Sequence, residues 1–262
     1  MFVMPPSSPT QALFDRTLPG LWPDAPAALS ASTFSDLCDV LGIAHGRHIE
    51  WSMQLSRQRV GAGCSLYQTG EPFRQFYVVR SGFMKSITTD PSGNERVVGF
   101  SLRGGLLGLD GLAYGRHMAS AVALADAELI VLPLATLHAA GRNYPDFASS
   151  VYSAMSIELA RTLAATGRLG LTTRSRIARL LLDMADRFAA LGYSPSRFNL
   201  PMSRSDIASY LGMAKATVSR SLLELETLGL IRQDQRSIQI LDRQGLRRLK
   251  RMPRLIDDTF AK

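Results

Sequence analysis

The middle of the chain, residues 59 to 133, consists of short apolar and β-branched segments separated by glycine. The segments read SLYQ, FYVVRS, FMKSITT, RVVGF and LIVLP. The turn signals around them are Gly70, Ser81 with Gly82, residues 91 to 93, and Gly104 with Gly105. Many short strands joined by glycine turns are typical of a small barrel or roll. We therefore predict a β-roll of the jelly-roll type.

Two stretches outside the predicted roll have the three- and four-residue apolar spacing of one helix face. The first begins at Ser32, and its apolar positions are Phe34, Leu37, Cys38 and Leu41. The second ends at Gly192, and its apolar positions are Ile177, Leu180, Leu181, Met184, Phe188 and Leu191. The spacing predicts two amphipathic helices, and glycine is the residue expected just after a helix ends. Cys38 is thereby predicted to pack in a core.

A third helical stretch, residues 145 to 170, follows the roll. Its repeating positions are Tyr152, Met155, Leu159, Thr162, Thr166 and Leu169. This is an a/d seam of about three heptads, which predicts a long helix that dimerises with a second copy. A helix lying on its own roll stays an open alternative, because so short a seam does not specify a coiled coil.

Residues 204 to 231 read RSDIASYLGMAKATVSRSLLELETLGLI, and their key residues have the spacing of a helix-turn-helix. Ser203 and Asp206 resemble a capping box at the start of a first helix. Ala208 is small where two helices cross, Gly212 suits the turn, and Val218 anchors the second helix on the first. An ordinary helical hairpin is the alternative for these positions alone.

The segments LIRQ and SIQIL follow the second helix and flank the polar residues 234 to 236. They predict a β-hairpin wing, which completes a winged helix-turn-helix. The predicted organisation is a disordered, proline-rich arm (1–30), a β-roll (31–144), a dimerisation helix (145–170) and a winged helix-turn-helix domain (171–262). The fold class is α+β.

Charge is distributed unevenly between these parts. The chain carries a formal net charge of +8, and all of the excess lies in residues 171 to 262, with 17 Lys and Arg against 9 Asp and Glu. A basic domain attached to a neutral one is typical of a nucleic-acid-binding protein, because Lys and Arg that neutralise phosphates release counterions. A solvated basic surface without a partner is the alternative interpretation.

Several classes of protein are disfavoured by the sequence. No apolar run approaches a membrane span, and the first basic residue is Arg16, so no secretory signal is predicted. Cys38 and Cys64, the two cysteines, lack the spacing of a disulfide framework or a zinc site. Motifs of nucleophilic, phosphate-loop and zinc hydrolase enzymes are absent. We expect a cytoplasmic protein that is not an enzyme and makes no membrane contact.

The order of these parts resembles the CRP/FNR family of bacterial transcription regulators, and within it the FNR branch. The resemblance lies in YVVRSGFMKS, GLLGLDGLAYGRH, DRFAALGYSPSRFNLPMSRSDIASYLG and TVSRSLLELETLGLI. It implies that the β-roll is a cyclic-nucleotide-binding-like sensor domain, called the sensor roll below, and that the protein is a homodimer on palindromic double-stranded DNA with one recognition helix in each major groove. It also implies an effector, here unidentified, and RNA polymerase as a partner.

The resemblance extends to the recognition helix, which in the family reads Glu-x-x-Ser-Arg. The matching residues are Ala216, Ser219 and Arg220, and we expect these three to read bases. Arg220 can donate two hydrogen bonds to guanine, whereas Ala216 has no acceptor for a cytosine amine. The alternative is that Ala216 is only a helix former at an uncontacted position. The expected phosphate contacts are Arg204, Lys215 and Thr217.

The effector loop departs from the cyclic-nucleotide branch of the family. That branch holds the ribose with Glu and the phosphate with Arg, where this chain has Leu109 and His117. Asp110 and Arg116 complete the candidate effector residues, and Arg116 could still reach an anion. We therefore expect no cyclic-nucleotide site of the family's usual kind.

The FNR branch uses four cysteines for an iron–sulfur cluster, and this chain has too few. Its fourth cysteine corresponds to Ile130, so we expect no cluster and no other metal site. Haem stays an open alternative, with candidate ligands His45, His48, His117 and His138. The second function hypothesis is accordingly a haem or small-molecule sensor whose DNA binding is secondary or nonspecific. Cys64 is expected to be buried rather than reactive.

Overall fold

The computed structural model describes residues 31–42, 54–143, 145–166 and 170–250. The arm predicted for residues 1–30, His45, His48, Leu169 and the side chain of Thr166 lie outside the described residues. The α+β organisation is confirmed: a β-roll, a long helix and a C-terminal winged helix-turn-helix follow one another along the chain.

In the described residues of the roll, 31–42 and 54–143, seven strands form an antiparallel sheet in the order β1-β2-β7-β4-β5, with β3 paired to β7 and β6 paired to β4. The strands are β1 (Ala31–Thr33), β2 (Gln54–Val60), β3 (Ser65–Tyr67), β4 (Gln75–Thr89), β5 (Glu95–Ser101), β6 (Leu106–Leu107) and β7 (Ser120–Pro133). Residues 76–79 of β4 and 129–132 of β7 are buried without interruption. Successive side chains point to opposite faces of a strand, so Val79 and Leu129 fill one apolar cluster, whereas Phe76 and Ile130 fill a second cluster together with Phe34 and Phe147. Both faces of the central strands are therefore apolar.

One predicted turn in the roll is wrong. Ser81 and Gly82 do not separate two strands but lie within the continuous strand β4, where the pairing with β7 shifts register. Gly82 has a φ of +87°, and a Cβ there would collide with the carbonyl oxygen of Asp126. Glycine therefore permits a bulge and a close approach of two strands here, not a reversal.

Three helices pack around the roll and lead out of it: α1 (Phe34–Leu41), α2 (Leu134–Asn143) and α3 (Pro145–Thr166). In α1, the Thr33 side chain accepts from the N–H of Asp36 and the Asp36 carboxylate accepts from the N–H of Thr33, which forms a capping box. The Phe34 ring lies 4.9 Å from that of Phe147 in α3. The long helix is therefore attached to its own roll at its N-terminal end.

The two cysteines have opposite environments. Cys38 is buried, as predicted, and burial raises the pKa of its thiol to about 11. The expectation that Cys64 is buried is wrong, because it is exposed in the tight turn between β2 and β3. The N–H of Cys64 donates to the carbonyl of Gly61 at 3.0 Å, and this turn holds the residue at the surface.

Up to residue 250, where the described part of the C-terminal domain ends, this domain contains four helices and a small sheet. The helices are α4 (Thr173–Ala190), α5 (Arg204–Leu211), α6 (Lys215–Thr227) and α7 (Arg243–Leu249). The strands are β8 (Arg197–Asn199), β9 (Ile231–Asp234) and β10 (Ser237–Ile240), in order β8-β10-β9. The predicted hairpin of β9 and β10 is confirmed, and β8 adds a strand that the sequence did not predict. Gly192, with a φ of +80°, lies just beyond α4 as expected.

Candidate functional site

The helices α5 and α6 form the helix-turn-helix through contacts that the sequence predicts. The Ser203 hydroxyl accepts from the N–H of Asp206 at 3.1 Å, and the Asp206 carboxylate accepts from the N–H of Ser203 at 2.9 Å. Gly212 has a φ of +63°, which glycine adopts at little cost. Ala208 and Val218 are buried where the two helices meet. The crossing angle is thus fixed by local sequence.

One side of α6 faces solvent, and it carries the residues predicted to read bases. Ala216, Ser219 and Arg220 are exposed, and they share a face because they are three and four residues apart. Val218 and Leu222 lie on the other side and are buried. The structure therefore brings the three predicted residues together on one accessible surface.

The first turn of α6 carries a basic side chain, and no side chain caps its backbone N–H groups. Ala214 occupies the N-cap and provides no side-chain hydrogen bond, in contrast to Ser203 at the start of α5. Lys215 is exposed in this turn and Thr217 is half-buried. Backbone N–H groups at such an end attract anions, and the helix dipole adds to the attraction. Both predicted phosphate-contacting residues of α6 lie at this end.

Arg204 differs from the other predicted phosphate contacts. Its guanidinium donates to Oε1 of Gln233 at 3.1 Å and to the carbonyl oxygen of Gln235 at 3.0 Å, so it joins α5 to the wing. Burial lowers the pKa of this guanidinium. Two further arginines, Arg232 and Arg236, are exposed in the wing, and the sequence-based prediction missed them. The basic composition of the hairpin is the feature of the sequence that could have indicated these two arginines.

The effector loop joins β6 to β7, and the carboxylate of Asp110 within the loop bonds to the loop's own backbone. Oδ2 of Asp110 accepts from the N–H of Met118 at 2.6 Å and from the N–H of Ala119 at 2.9 Å. Leu109 is half-buried beside it. Arg116 is exposed and donates to the carbonyl oxygen of Gly70 at 3.2 Å. The amides of Met118 and Ala119 are therefore already paired with a negative charge.

His117 lies under this loop and is only 3% exposed. Its ring stacks on Tyr67 with 3.7 Å between centroids, and its Nδ1 lies 3.9 Å from Oδ1 of Asp110, beyond hydrogen-bond distance. Burial lowers the pKa of His117, and the nearby Asp110 carboxylate opposes that shift without reversing it. The imidazole is therefore neutral at pH 7 and acts as an aromatic core side chain.

A cavity of about 830 Å³ lies between the effector loop, α3 and α4. Its lining includes Leu109, Asp110, Leu112 and Met118 from the loop, Met155, Leu159 and Thr162 from α3, and Arg179, Asp183 and Arg187 from α4. A molecule in this cavity would contact the sensor roll, the long helix and the C-terminal domain together.

Comparisons with known proteins agree with this architecture. Residues 57–144 match the cyclic nucleotide-binding domain, and residues 175–249 match the Crp-like helix-turn-helix domain. The chain is 35% identical to the transcriptional regulatory protein btr of Bordetella pertussis, over 87% of this chain and 95% of that protein. The chain belongs to the CRP/FNR family. Its relatives are DNA-binding transcription regulators, and they are not enzymes.

Two other members show how far the likeness extends. The chain is 31% identical to the fumarate and nitrate reduction regulatory protein of Escherichia coli strain K12, over 67% of this chain and 70% of that protein. The solved structure of FixK2 from Bradyrhizobium japonicum superposes with a TM-score of 0.67 at 28% identity, covering 75% of this chain and 98% of that one. Sensor roll and helix-turn-helix are thus common to this CRP/FNR regulator and a solved relative.

The residues of the predicted seam on α3 lie in two different environments in this CRP/FNR chain. Tyr152 and Leu159 are 68% and 61% exposed, and Thr162 is exposed as well. Met155 instead packs against the apolar cluster of the roll that contains Phe147. Leu163, which the predicted seam omits, is 62% exposed. Part of the seam therefore holds the helix on its own roll, and part forms an exposed apolar stripe.

His138 is the other candidate haem ligand within the described residues besides His117, and it is exposed on α2. Among the described residues, no three His, Cys, Asp or Glu side chains lie together in a metal-binding arrangement. Nor does any helix in those ranges have the length and apolar character to cross a membrane.

Proposed function

We propose that this CRP/FNR regulator acts as a homodimer that binds palindromic double-stranded DNA, with α6 of each protomer in a major groove. The observation that carries the proposal is the exposed face of α6, where Ala216, Ser219 and Arg220 lie side by side. A helix presented in this way fits the major groove, and a two-fold dimer matches half-sites about one helical turn apart.

Each residue of this face has its own expected contact. Arg220 donates two hydrogen bonds to O6 and N7 of a guanine, and Ser219 lies against a neighbouring base or phosphate. Ala216 touches a thymine methyl or leaves its base pair unread. Lys215, Thr217 and Arg204 contact phosphates, which position the helix without reading sequence. Both hydrogen bonds from Arg204 to the wing are donated by Nη2, so we assign the phosphate contact to the other guanidinium nitrogens.

The dimer forms through α3. The exposed apolar side chains of Tyr152 and Leu159 support this assignment, because their burial against a second copy removes apolar area from water. Thr162 continues the seam toward the C-terminal domain, and by sequence spacing Thr166 and Leu169 are the next seam positions. Met155 contributes indirectly, since it holds α3 against the roll.

The effector is a small molecule other than a cyclic nucleotide. The Asp110 carboxylate occupies the amides of Met118 and Ala119, so a phosphate brought to this loop would meet a like charge. The adjoining cavity, which Leu109 and Leu112 line in part, is the proposed effector site. Two cysteines are too few for the four-thiolate iron–sulfur cluster of the FNR branch. The expected location is the cytoplasm, with RNA polymerase as the protein partner.

Selection of bound duplexes from a random DNA library tests this proposal. The expected result is a set of palindromes with a G·C pair at a fixed place in each half, and a steep decline of affinity with salt. A steep salt dependence without any selected sequence would favour the alternative, a haem or small-molecule sensor whose DNA binding is nonspecific. Absorbance of the purified protein in the haem region would support that alternative further.

A further inference from the structure

The sensor roll contacts the first helix of the helix-turn-helix directly. Nζ of Lys85, in β4, lies 2.6 Å from Oδ1 of Asp206, in α5. The two side chains are 20% and 13% exposed, so this ion pair is mostly shielded from water. Such a pair is screened less by salt than a surface pair, and removal of one partner leaves the other poorly solvated.

The Asp206 carboxylate serves two purposes at once. Oδ2 accepts from the N–H and the hydroxyl of Ser203, at 2.9 and 2.6 Å, and so caps α5. Oδ1 is left for Lys85. Burial raises the pKa of Asp206, but the hydrogen bonds from Lys85 and Ser203 outweigh burial and lower it. The residue is therefore a carboxylate at neutral pH, and the roll holds α5 at its capped end.

A second group of contacts lies three and four residues further along α5. The Ser209 hydroxyl accepts from the N–H of Val97 in β5 at 2.9 Å. The ring of Tyr210 packs edge-on against Phe100 of β5, with 4.8 Å between centroids. Arg187 of α4 donates to the carbonyl oxygen of Phe100 at 2.8 Å. The β4–β5 hairpin thus holds both ends of α5 and a neighbouring helix.

These contacts leave the reading face uncovered. The exposed side chains of α6, such as Arg220, remain accessible while α5 is held by the roll. Because Ala208 and Val218 pack α6 rigidly on α5, fixing α5 fixes α6 as well. In a dimer, the two rolls would then set the distance and angle between the two recognition helices.

We propose that Lys85 is a positioning residue for DNA recognition: through Asp206 it fixes the recognition helix of each protomer in the orientation that two half-sites require. The proposal rests on the proposed function, namely that a dimer binds palindromes. It concerns simultaneous binding of two half-sites, because one helix-turn-helix on one half-site needs no fixed orientation relative to the other.

The test compares affinity for a selected palindrome with affinity for a duplex that carries a single half-site. Coupling between distant sites typically changes affinity by about 5- to 150-fold, and we expect Lys85→Met to reduce the palindrome-to-half-site ratio by about tenfold. Half-site affinity should stay within about twofold. Lys85→Arg should restore the ratio, and Ser209→Ala, which removes the hydrogen bond from the N–H of Val97, should reduce it too. Arg96→Met removes one positive charge from the same hairpin at an exposed position and is the matched control.

The outcomes distinguish failure of the proposed function from failure of the positioning role of Lys85. If the unaltered protein does not prefer the palindrome over the half-site, the proposed function fails. If it does prefer the palindrome but Lys85→Met retains the full ratio, the positioning role of Lys85 is wrong, whatever Ser209→Ala does. An equal loss on both duplexes together with a lower unfolding temperature would also overturn it, because Lys85 would then act only through the stability of the fold.

Discussion

The effector loop should depend strongly on Asp110. Asp110→Ala removes the acceptor of two backbone hydrogen bonds, from Met118 and Ala119, and leaves both N–H groups without a partner. Hydrogen bonds to a charged group contribute about 1.5 to 3 kcal/mol each. The Asp110 side chain is 28% exposed, so water compensates in part, and the low end of that range applies to each bond. We expect a loss of about 3 kcal/mol in the free energy of unfolding of the sensor roll.

The assay is urea or thermal unfolding followed by circular dichroism, with Asp110→Asn as an intermediate variant. Asn keeps one acceptor oxygen but loses the charge, so its loss should be about half as large. The sensor roll, residues 31–144, is intermediate in size between small and medium domains, so each kcal/mol lowers its unfolding temperature by roughly 4 °C. Glu95→Gln removes an exposed carboxylate from the same roll and should have little effect. A loss below about 0.5 kcal/mol for Asp110→Ala, the range of ordinary surface substitutions, would refute the reasoning.

Three further predictions concern the recognition helix, the dimer and the buried histidine. Ala216→Glu should change the preferred base pair opposite this position by about 1 to 3 kcal/mol, because the carboxylate can accept from a cytosine amine. Identical selected sites for both proteins would mean that this position is not read. Leu159→Asp should convert dimers to monomers in sedimentation, since it places two like charges at the dimer axis. An unchanged dimer would contradict the seam. Stability should fall as the pH drops below 6.5, because the lowered pKa of His117 makes the folded protein bind its proton less readily than the unfolded chain. His117→Phe should reduce this dependence, and an unchanged pH profile would exclude His117 as its source.

The helix-turn-helix could be predicted from sequence because its determinants are local. Ser203 caps the first helix, Gly212 takes the turn conformation, and Val218 anchors the second helix, all within sixteen residues. The same reasoning located the exposed face of α6, because three- and four-residue spacing fixes which side chains share a side of a helix.

Other features depended on contacts that the local sequence does not specify. A glycine such as Gly82 suits both a turn and a bulge, and only the approach of β7 decides between them. Met155 suits a dimer seam as well as the roll it packs against. Lys85 and Asp206 are 121 residues apart, so their pairing has no signal in a single sequence. Asp110 was singled out by its position in the loop, but its hydrogen bonds became apparent only in three dimensions.

The most direct test of the central claim is a cycle of affinities with two proteins and two duplexes. The proteins are the unaltered chain and Arg220→Ala, and the duplexes are a selected palindrome and the same duplex with the conserved G·C pair replaced in both halves. The account predicts that the unaltered protein loses about 1 to 3 kcal/mol per half-site on replacement of that pair, and that Arg220→Ala binds both duplexes equally. If Arg220→Ala discriminates between the duplexes as strongly as the unaltered protein does, α6 does not read DNA through this residue.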